Sequence, residues 1–284
     1  MRLVNIHCHM LYAVDDGAKS PNMMMHMIDS AYKSGVRVIC MTPHYNPAYF
    51  KCPREIIVKR FAKSVDYVAE KYPDLKLCLG QELYYYNDTV SDLLHGKCFT
   101  LNRTRNVLVE FGPYDDKAVI EAGVSRLLTS GFTPVIAHVE RYSSLRFSTE
   151  SIRELKRQGA VIQVNAASVL GVYGFLTKQY VVSLIRKGLV DIIADDCHDV
   201  AVNSKVSEKD DDISGMTDSK AESGGVFAFL FGNKKDKKNG TAKKLVCLRE
   251  AYDYVHHKFG EEAADVLFCI NPLKMISEEF YSGK

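Results

Sequence analysis

The feature that most constrains the fold is an alternation of short apolar runs with longer amphipathic segments across the first 198 residues. The runs are rich in Val, Ile and Leu and are typical of buried strands. The predicted strands are residues 2–7, 36–44, 75–82, 106–111, 133–141, 160–165 and 189–198. Apolar strands that alternate with helices indicate a parallel sheet covered on both faces. Seven such units favour an α/β fold of the (βα)7 TIM-like barrel type, with an open doubly wound sheet as the alternative.

The segments between the strands carry helix signals. In the first, Ser20 is a suitable N-cap, Pro21 fits the first helical position and Gly35 fits the C-terminal stop. Further helices are predicted within residues 53–73, 116–131, 149–159 and 175–188.

The alternation stops at residues 203–244, which are polar and rich in Gly, Ser and Lys. The first part of this stretch is acidic and the last part basic, a composition that predicts a flexible insertion. One apolar island, VFAFLF at 226–231, lies inside it, and two helical patterns follow it. We therefore expect a single domain over residues 1–284, interrupted by this insertion.

Composition excludes several classes of function. A net charge of +2 gives no case for a nucleic-acid binder with a basic surface. The chain has no apolar run long enough for a membrane span and no signal peptide at its Met1 end, so a cytoplasmic location is expected. The eight cysteines form no C-x-x-C pair, which is typical of buried thiols in a reducing compartment. The oligomeric state is left open.

Six of the seven predicted strands end in side chains that can bind metal. In parallel α/β barrels the carboxyl ends of the strands converge on one face, where active sites form. A single histidine or glutamate at a strand end is more often a satisfied or solvated polar residue, but the joint pattern predicts one shared site. Its members are His7, His9, His44, Glu82, Glu110, His138, Asp196 and His198.

The types of side chain in this set narrow the chemistry. Imidazoles and carboxylates without thiolates suit manganese, iron or zinc, and their number exceeds one tetrahedral sphere. A cluster of two or three ions would activate water and clamp the oxygens of a phosphate ester. Arg141, just after the fifth strand, would hold phosphate oxygens through its guanidinium group. The alternative for Arg141 is an ion pair with Glu140 or another carboxylate.

Four stretches resemble the polymerase and histidinol phosphatase (PHP) superfamily: HCHMLYAVDDGAKS, VICMTPHYN, LCLGQELYYY and GFTPVIAHVERY. Within it they are similar to bacterial protein tyrosine phosphatases from capsule and exopolysaccharide operons, and the likeness covers about residues 1–200. The resemblance implies a distorted barrel of seven βα units with a trinuclear site, often manganese. The implied substrate is phosphotyrosine on a partner bacterial tyrosine kinase that controls polysaccharide synthesis.

The resemblance also implies a ligand set and a phosphate-binding residue. Arg141 matches the arginine that binds phosphate in the family, and Asp15 competes with Asp16 for one ligand position. The implied ligands are His7, His9, Asp16, His44, Glu82, Glu110, His138, Asp196 and His198.

The chain departs from the family pattern at two positions. Asn5 stands where the family usually has an aspartate, two residues before the first histidine. The second arginine that commonly follows the last D-x-H motif is missing, and the nearest cation is Lys205, which lacks the bidentate fork of arginine. These departures bear on substrate choice and on stabilisation of the negative charge of the phosphate in the transition state, more than on metal binding.

Three functions fit the sequence. The first is a metal-dependent protein tyrosine phosphatase, the second a phosphoesterase for a small metabolite such as histidinol phosphate, and the third a metal-stabilised regulatory module with little catalysis. None of the eight cysteines has an arginine at the spacing of a cysteine-based tyrosine phosphatase. A phosphatase of this sequence would therefore have to depend on metal.

Overall fold

The fold is that of a computed structural model, in which residues 2–199 and 246–277 are described. The predicted insertion at 203–244, its apolar island and Lys205 lie outside the described residues. Within the described ranges, no helix is both long and apolar enough to cross a membrane.

Every predicted strand of the first 198 residues contains a strand in the structure. The strands are β1 Leu3–Asn5, β2 Val36–Met41, β3 His44–Tyr45, β4 Lys76–Leu79, β5 Glu82–Tyr84, β6 Asn106–Glu110, β7 Thr133–Ile136, β8 Val161–Asn165 and β9 Ile192–Ala194. The α-helices are α1 Pro21–Lys33, α2 Arg54–Lys71, α3 Thr89–Leu94, α4 Lys117–Thr129, α5 Thr149–Gln158, α6 Ala166–Leu170, α7 Phe175–Arg186, α8 Leu248–Phe259, α9 Glu261–Asp265 and α10 Asn271–Ile276. Ser20 caps α1 through its side chain, as its sequence position predicts.

All paired strands are parallel. One sheet has the order β1-β2-β4 and the other the order β3-β5-β6-β7-β8-β9. This arrangement confirms the prediction of a parallel α/β fold, because parallel neighbours require the crossover helices that the sequence pattern indicated.

The predicted strands 36–44 and 75–82 are each divided in two, and local chemistry explains both breaks. Pro43 follows β2 and has no amide hydrogen for the ladder, although its carbonyl oxygen accepts from the Glu82 amide at 3.2 Å. Gly80 separates β4 from β5 at a place where a Cβ atom would lie 2.9 Å from the Leu101 side chain. At each break the chain passes from one sheet to the other, because β2 and β4 belong to the first sheet and β3 and β5 to the second. The strand ends after the breaks turn toward the side where the predicted ligands lie.

The parallel sheet is curled, so one of its faces is concave. Strands β1, β6, β7 and β9 contribute small and branched side chains to one buried cluster, which α10 covers through Ile276. A second, larger cluster packs the opposite face of the strands against the helices. At the carboxyl ends, the backbones of Cys8 and Cys197 pair as an isolated parallel β-bridge, and both cysteines are free thiols. The His9 amide donates to the Cys197 carbonyl oxygen at 2.9 Å. The ends of β1 and β9 are therefore neighbours.

Candidate metal centre

The carboxyl ends of the strands bring the predicted ligands together at the concave edge of the sheet. Eight of the nine predicted ligands fall into three groups, and within each group one potential ligand atom per residue lies within 4.8 Å of the others. The groups are His9, Asp16, His44 and His198; His7, His9, Glu82 and Asp196; and His44, Glu82 and Glu110. None of them contains a cysteine, in keeping with the predicted imidazole and carboxylate chemistry.

The three groups overlap in a way that makes them one centre. His9, His44 and Glu82 each belong to two groups, and every pair of groups shares one of them. Glu82 is the most central of these residues: its Oε2 atom lies 3.2 Å from the nearest ring nitrogens of His7, His9 and His44. A single carboxylate in contact with three imidazoles is suited to sharing by two cations.

The first strand supplies two histidines because residues two apart in an extended chain project to the same side. His7 and His9 are fully buried, and their Nε2 atoms lie 3.4 Å apart. The Nδ1 atom of His9 lies 2.7 Å from Asp15 Oδ2. An ionised carboxylate only accepts hydrogen bonds, so His9 donates through Nδ1 and its Nε2 lone pair faces the centre.

The two adjacent aspartates have different surroundings. Asp15 belongs to none of the three groups, and its Oδ atoms accept from His9 and from the backbone amides of Gly17 and His44 at 2.9 and 3.0 Å. Asp16 instead points its Oδ1 atom at the ring of His198, 3.3 Å away. The geometry therefore favours Asp16 as the ligand and Asp15 as the residue that orients His9.

Gly17 allows the loop after β1 to fold back onto His9. A Cβ atom at this position would lie 1.9 Å from the His9 carbonyl oxygen and 2.5 Å from its Cβ. We expect Gly17→Ala to lower the free energy of unfolding by about 1–3 kcal/mol, as overpacking does, and to lower metal content because His9 must move. Chemical denaturation and metal analysis measure the two effects.

Gly188→Ala is the control for that variant. Gly188 has a left-handed φ of +65°, but a Cβ atom there would meet nothing within 4 Å. It should cost stability through its backbone while metal content stays at the wild-type level. Equal metal content in both variants would argue against close packing of Gly17 as a support of the site.

His138, the ninth predicted ligand, lies beside the three groups. Its Nε2 atom is 2.9 Å from Glu82 Oε1 and 3.8 Å from Glu110 Oε2. His138 has φ 34°, and Asp196 has φ 51°, so two site residues other than glycine hold a left-handed backbone. Such conformations cost about 1–3 kcal/mol each and are concentrated at functional sites.

The electrostatics of the centre favour cations. Burial alone would lower the pKa of His9, but the carboxylates of Asp15 and Glu82 raise it well above its ordinary value. Burial would raise the pKa of Glu82, but His7 and His44 hold it well below the usual range. The charged form of Glu82 is thus favoured, and the negative field of these buried carboxylates is one that attracts metal ions.

Buried polar atoms without hydrogen bonds give an independent test of whether metal fits. Among the described residues, eight buried side-chain N and O atoms have no hydrogen-bond partner, and four of them belong to predicted ligands: Asp16 Oδ1, His44 Nδ1, Glu82 Oε2 and His138 Nδ1. The first three have only ion-pair contacts within the centre. Native proteins rarely leave such atoms unpaired, and a bound ion is one of the recognised reasons. Three of the four atoms belong to residues of the groups above, so the donor set fits divalent cations.

Arg141 ends a short 3₁₀ helix, Val139–Arg141, directly after the His138 turn. Its Nη1 atom lies 3.3 Å from Asp196 Oδ2, and its side chain is 36% exposed. Glu140 points away into the core, where it accepts from the Asn165 amide and the Ser168 hydroxyl at 2.9 and 2.6 Å. The predicted alternative, an ion pair of Arg141 with a carboxylate, is therefore present with Asp196, and the Arg141 side chain remains partly exposed beside the centre.

Asn5 is buried beneath the centre and uses both ends of its amide. Its Nδ2 atom donates to Asp195 Oδ2 at 3.0 Å, and its Oδ1 atom accepts from the Asp195 and His7 amides at 3.3 Å. Burial raises the pKa of Asp195 to about 7. An aspartate at position 5 would face a second buried carboxyl, so the asparagine fits this chain's Asp195.

Two further buried residues carry no metal-ligand signature in the sequence yet touch the centre. Gln163 and Asn165 lie on β8, the predicted strand without a terminal histidine or acid. Gln163 Oε1 lies 3.1 Å from His7 Nδ1, and Asn165 Nδ2 donates to Asp196 Oδ2 at 2.8 Å. The signal that could have identified them is their position, two apart in an otherwise apolar strand.

The fold and the site together define a class: a parallel α/β protein with a candidate multi-metal centre at the carboxyl ends of its strands. Comparison with known proteins then gives the family. The chain belongs to the CpsB/CapC family of capsular polysaccharide synthesis, whose model matches residues 3–213.

Named relatives agree with this assignment. Tyrosine-protein phosphatase CpsB from Streptococcus agalactiae serotype III (strain NEM316) is 32% identical over 205 residues, which are 70% of this chain and 84% of the relative. CpsB from Streptococcus pneumoniae is 29% identical over 283 residues, 98% of this chain and 99% of the relative. A solved structure from a study of YwqE from Bacillus subtilis and CpsB from S. pneumoniae, described there as metal-dependent tyrosine phosphatases, has a TM-score of 0.76 at 24% identity. It covers 96% of this chain and 94% of its own, and it supports the fold.

Proposed function

We propose that the chain is a metal-dependent protein tyrosine phosphatase. The observation that carries the proposal is the overlap of three ligand groups through His9, His44 and Glu82, next to the partly exposed Arg141. Membership of the CpsB/CapC family and relatives named tyrosine-protein phosphatases support it.

We propose three divalent ions, with manganese as the first candidate and iron or zinc as alternatives, because imidazole and carboxylate donors accept all of them. One ion would be held by each group, with Glu82 shared between two of them. His138 would complete a sphere through its Nε2 atom, which faces Glu82. The proposed ligands are His7, His9, Asp16, His44, Glu82, Glu110, His138, Asp196 and His198.

The reaction would form a bond between phosphorus and the oxygen of water and break the bond between phosphorus and the tyrosine oxygen. It would release inorganic phosphate and the tyrosine hydroxyl, which takes up a proton from that water. When bound, the ions supply Lewis acidity that lowers the pKa of water and neutralises phosphoryl oxygens. Arg141 would bind the phosphoryl oxygens on which negative charge develops, through a guanidinium that Asp196 holds by an ion pair at 3.3 Å. Lys205 is proposed as a second cation near the phosphate, in the place of the family's second arginine.

The proposed physiological substrate is phosphotyrosine on a bacterial tyrosine kinase whose phosphorylation regulates capsule or exopolysaccharide synthesis. The family description, capsular polysaccharide synthesis, supports this setting. The proposed location is the cytoplasm, where such a kinase would present its phosphorylated residues.

The finer fold proposed is a distorted (βα)7 barrel of the PHP type, in a single domain with an insertion at 203–244. The hydrogen bonds from the Asp196 amide to the His7 carbonyl oxygen and from the His9 amide to Cys197, both 2.9 Å, support closure between the first and last strands. Closure would matter for function because it sets His7, His9, Asp196 and His198 side by side.

The test combines metal analysis with hydrolysis of phosphotyrosine peptides. Purified protein loaded with manganese is expected to hold about three ions per chain and to release phosphate from such a peptide. Absence of turnover with any divalent metal, in protein that holds metal, would overturn the proposal. A strong preference for alkyl over aryl phosphates would indicate a small-metabolite phosphoesterase. Turnover no better than that of His7→Ala would indicate a regulatory module.

A further inference from the structure

We propose that Gln163 and Asn165 form an amide bridge, two buried side chains in series that position His7 and Asp196 for metal binding. Neither residue is a ligand, so both would act as positioning residues, and the inference rests on the proposed metal centre. Both side chains are fully buried on β8.

The orientation of the Gln163 side-chain amide is fixed by a backbone donor. Its Oε1 atom accepts from the backbone amide of His138 at 2.9 Å. A backbone N–H is always a donor, so the atom at that position must be the oxygen of the side-chain amide. The Nε2 end therefore points at Asn165, where it donates to Oδ1 at 2.9 Å.

The orientation of the Asn165 side-chain amide follows from that of Gln163. Because its Oδ1 atom accepts from Gln163, its Nδ2 atom is the end that meets Asp196 Oδ2, at 2.8 Å. A carboxylate oxygen accepts hydrogen bonds, so the Asp196 end of the bridge independently requires a donor from Asn165. Turning either amide over would place two donors or two acceptors against each other in the core.

The orientation of Gln163 determines the tautomer of His7. Its Nδ1 atom lies 3.1 Å from Gln163 Oε1, which carries no hydrogen, so Nδ1 must be the protonated ring nitrogen. The lone pair is then on Nε2, which lies 3.2 Å from Glu82 Oε2 and 3.5 Å from Asp196 Oδ1. A ligating histidine is commonly fixed in this way through its other nitrogen.

The bridge also sets the orientation of the Asp196 carboxylate. Its Oδ2 atom accepts from Asn165 and Arg141. Its Oδ1 atom lies 3.5 Å from the His7 ring and 3.6 Å from the His9 ring, on the side of the centre. The bridge thus leaves one oxygen of the carboxylate directed at the metal position, and it joins this ligand to His7 across β8.

The bridge also contacts both left-handed residues of the site. Gln163 accepts from the amide of His138, and Asn165 holds the side chain of Asp196. Backbone conformations of this kind persist only where the surroundings over-determine them. One pair of neutral side chains therefore positions two ligands and supports a third without adding charge to a crowded centre.

The experiment uses Gln163→Leu, which removes both functions of the side chain, and Gln163→Glu, which retains the acceptor for His7 but cannot donate to Asn165. Asn106→Leu is the control, because Asn106 is a buried amide at the start of β6 that donates to the Met275 carbonyl oxygen at 2.8 Å, away from the ligand groups. Manganese binding by the metal-free full chain is measured by calorimetry. The tautomer of His7 is measured by nitrogen-15 NMR of its ring, assigned with His7→Ala.

We expect Gln163→Leu to weaken manganese binding about 10–100-fold, the range for residues that orient ligands, and to abolish the pure Nδ1–H tautomer of His7. Gln163→Glu should keep that tautomer and bind manganese with intermediate affinity, while Asn106→Leu should match the wild type. An Nε2–H tautomer in the wild-type chain, or wild-type affinity in either Gln163 variant, would overturn the bridge. If Gln163→Leu does not fold, the manganese affinity and the His7 tautomer of Gln163→Glu test the bridge instead. A wild-type chain that binds no divalent metal would overturn the proposed function, while the tautomer still tests the bridge.

Discussion

The Glu82→Gln variant is expected to lose bound metal and to hydrolyse aryl phosphates at least about 100-fold more slowly than the wild-type chain, since even residues that only orient ligands contribute 10–100-fold. Glu82 is buried, belongs to two of the three ligand groups and contacts four histidine rings. Glutamine keeps the shape but loses the charge, and its amide would turn donor hydrogens toward a bound cation. Metal analysis and kcat/KM on an aryl phosphate measure the loss.

The control is Asp191→Asn, which also removes one carboxylate charge from the sheet. Asp191 precedes β9 at the opposite end of the strand from the ligands, where it pairs with Lys156 and accepts from the Ile162 amide at 2.9 Å. It should retain metal and activity. A folded Glu82→Gln protein with wild-type metal content and turnover would refute the centre, and thermal unfolding of the metal-free proteins identifies a variant that fails to fold.

The convergence of the ligands was predictable because it follows from parallel topology. Strand ends at His44, Glu110 and Asp196 are separated by 66 and 86 residues in the chain, and no local signal links them. Alternating strands and helices nevertheless require parallel pairing, and parallel pairing puts all carboxyl ends on one edge. Periodicity and the identity of the terminal residues were therefore sufficient to predict which strand ends meet, whereas Asp16 joins the groups from the loop after β1.

The choice between Asp15 and Asp16 was not predictable. Both follow β1 in an irregular loop, where no period assigns a side chain to a face. The loop is fixed by tertiary contacts: Asp15 accepts from the amides of Gly17 and His44, and Gly17 packs on His9. The partner at His44 is 29 residues away, so only the folded chain determines which aspartate reaches the centre.

The amide bridge was missed for a different reason. Histidines and acids are the side chains that indicate a metal site in a sequence, and β8 contains neither. Gln163 and Asn165 act through the direction of their hydrogen bonds, which depends on His138 and Asp196 on neighbouring strands. Neutral amides carry no electrostatic signature in a sequence, but two of them inside a buried apolar strand require partners.

Arg141→Lys tests the phosphate-binding role, because it keeps the positive charge but removes the planar guanidinium that can donate two parallel hydrogen bonds. We expect kcat/KM on an aryl phosphate to fall about 100-fold, because an ammonium group cannot bind two phosphoryl oxygens in the plane of a guanidinium. Metal content should stay at the wild-type level, since a charged guanidinium group offers no lone pair to a metal ion. Steady-state kinetics, inhibition by inorganic phosphate and metal analysis measure these outcomes, and the affinity for phosphate should fall with kcat/KM.

Arg146→Lys is the matched control, five residues further along the same connection. Arg146 donates to the Thr177 hydroxyl at 3.1 Å and stacks over Phe147, so its replacement should leave turnover within about twofold of the wild type, as for an ordinary surface substitution. Two results would contradict the assignment. Unchanged kcat/KM in Arg141→Lys would mean that charge alone suffices at this position. Loss of metal in parallel with activity would mean that the ion pair to Asp196, rather than contact with phosphate, is what Arg141 contributes.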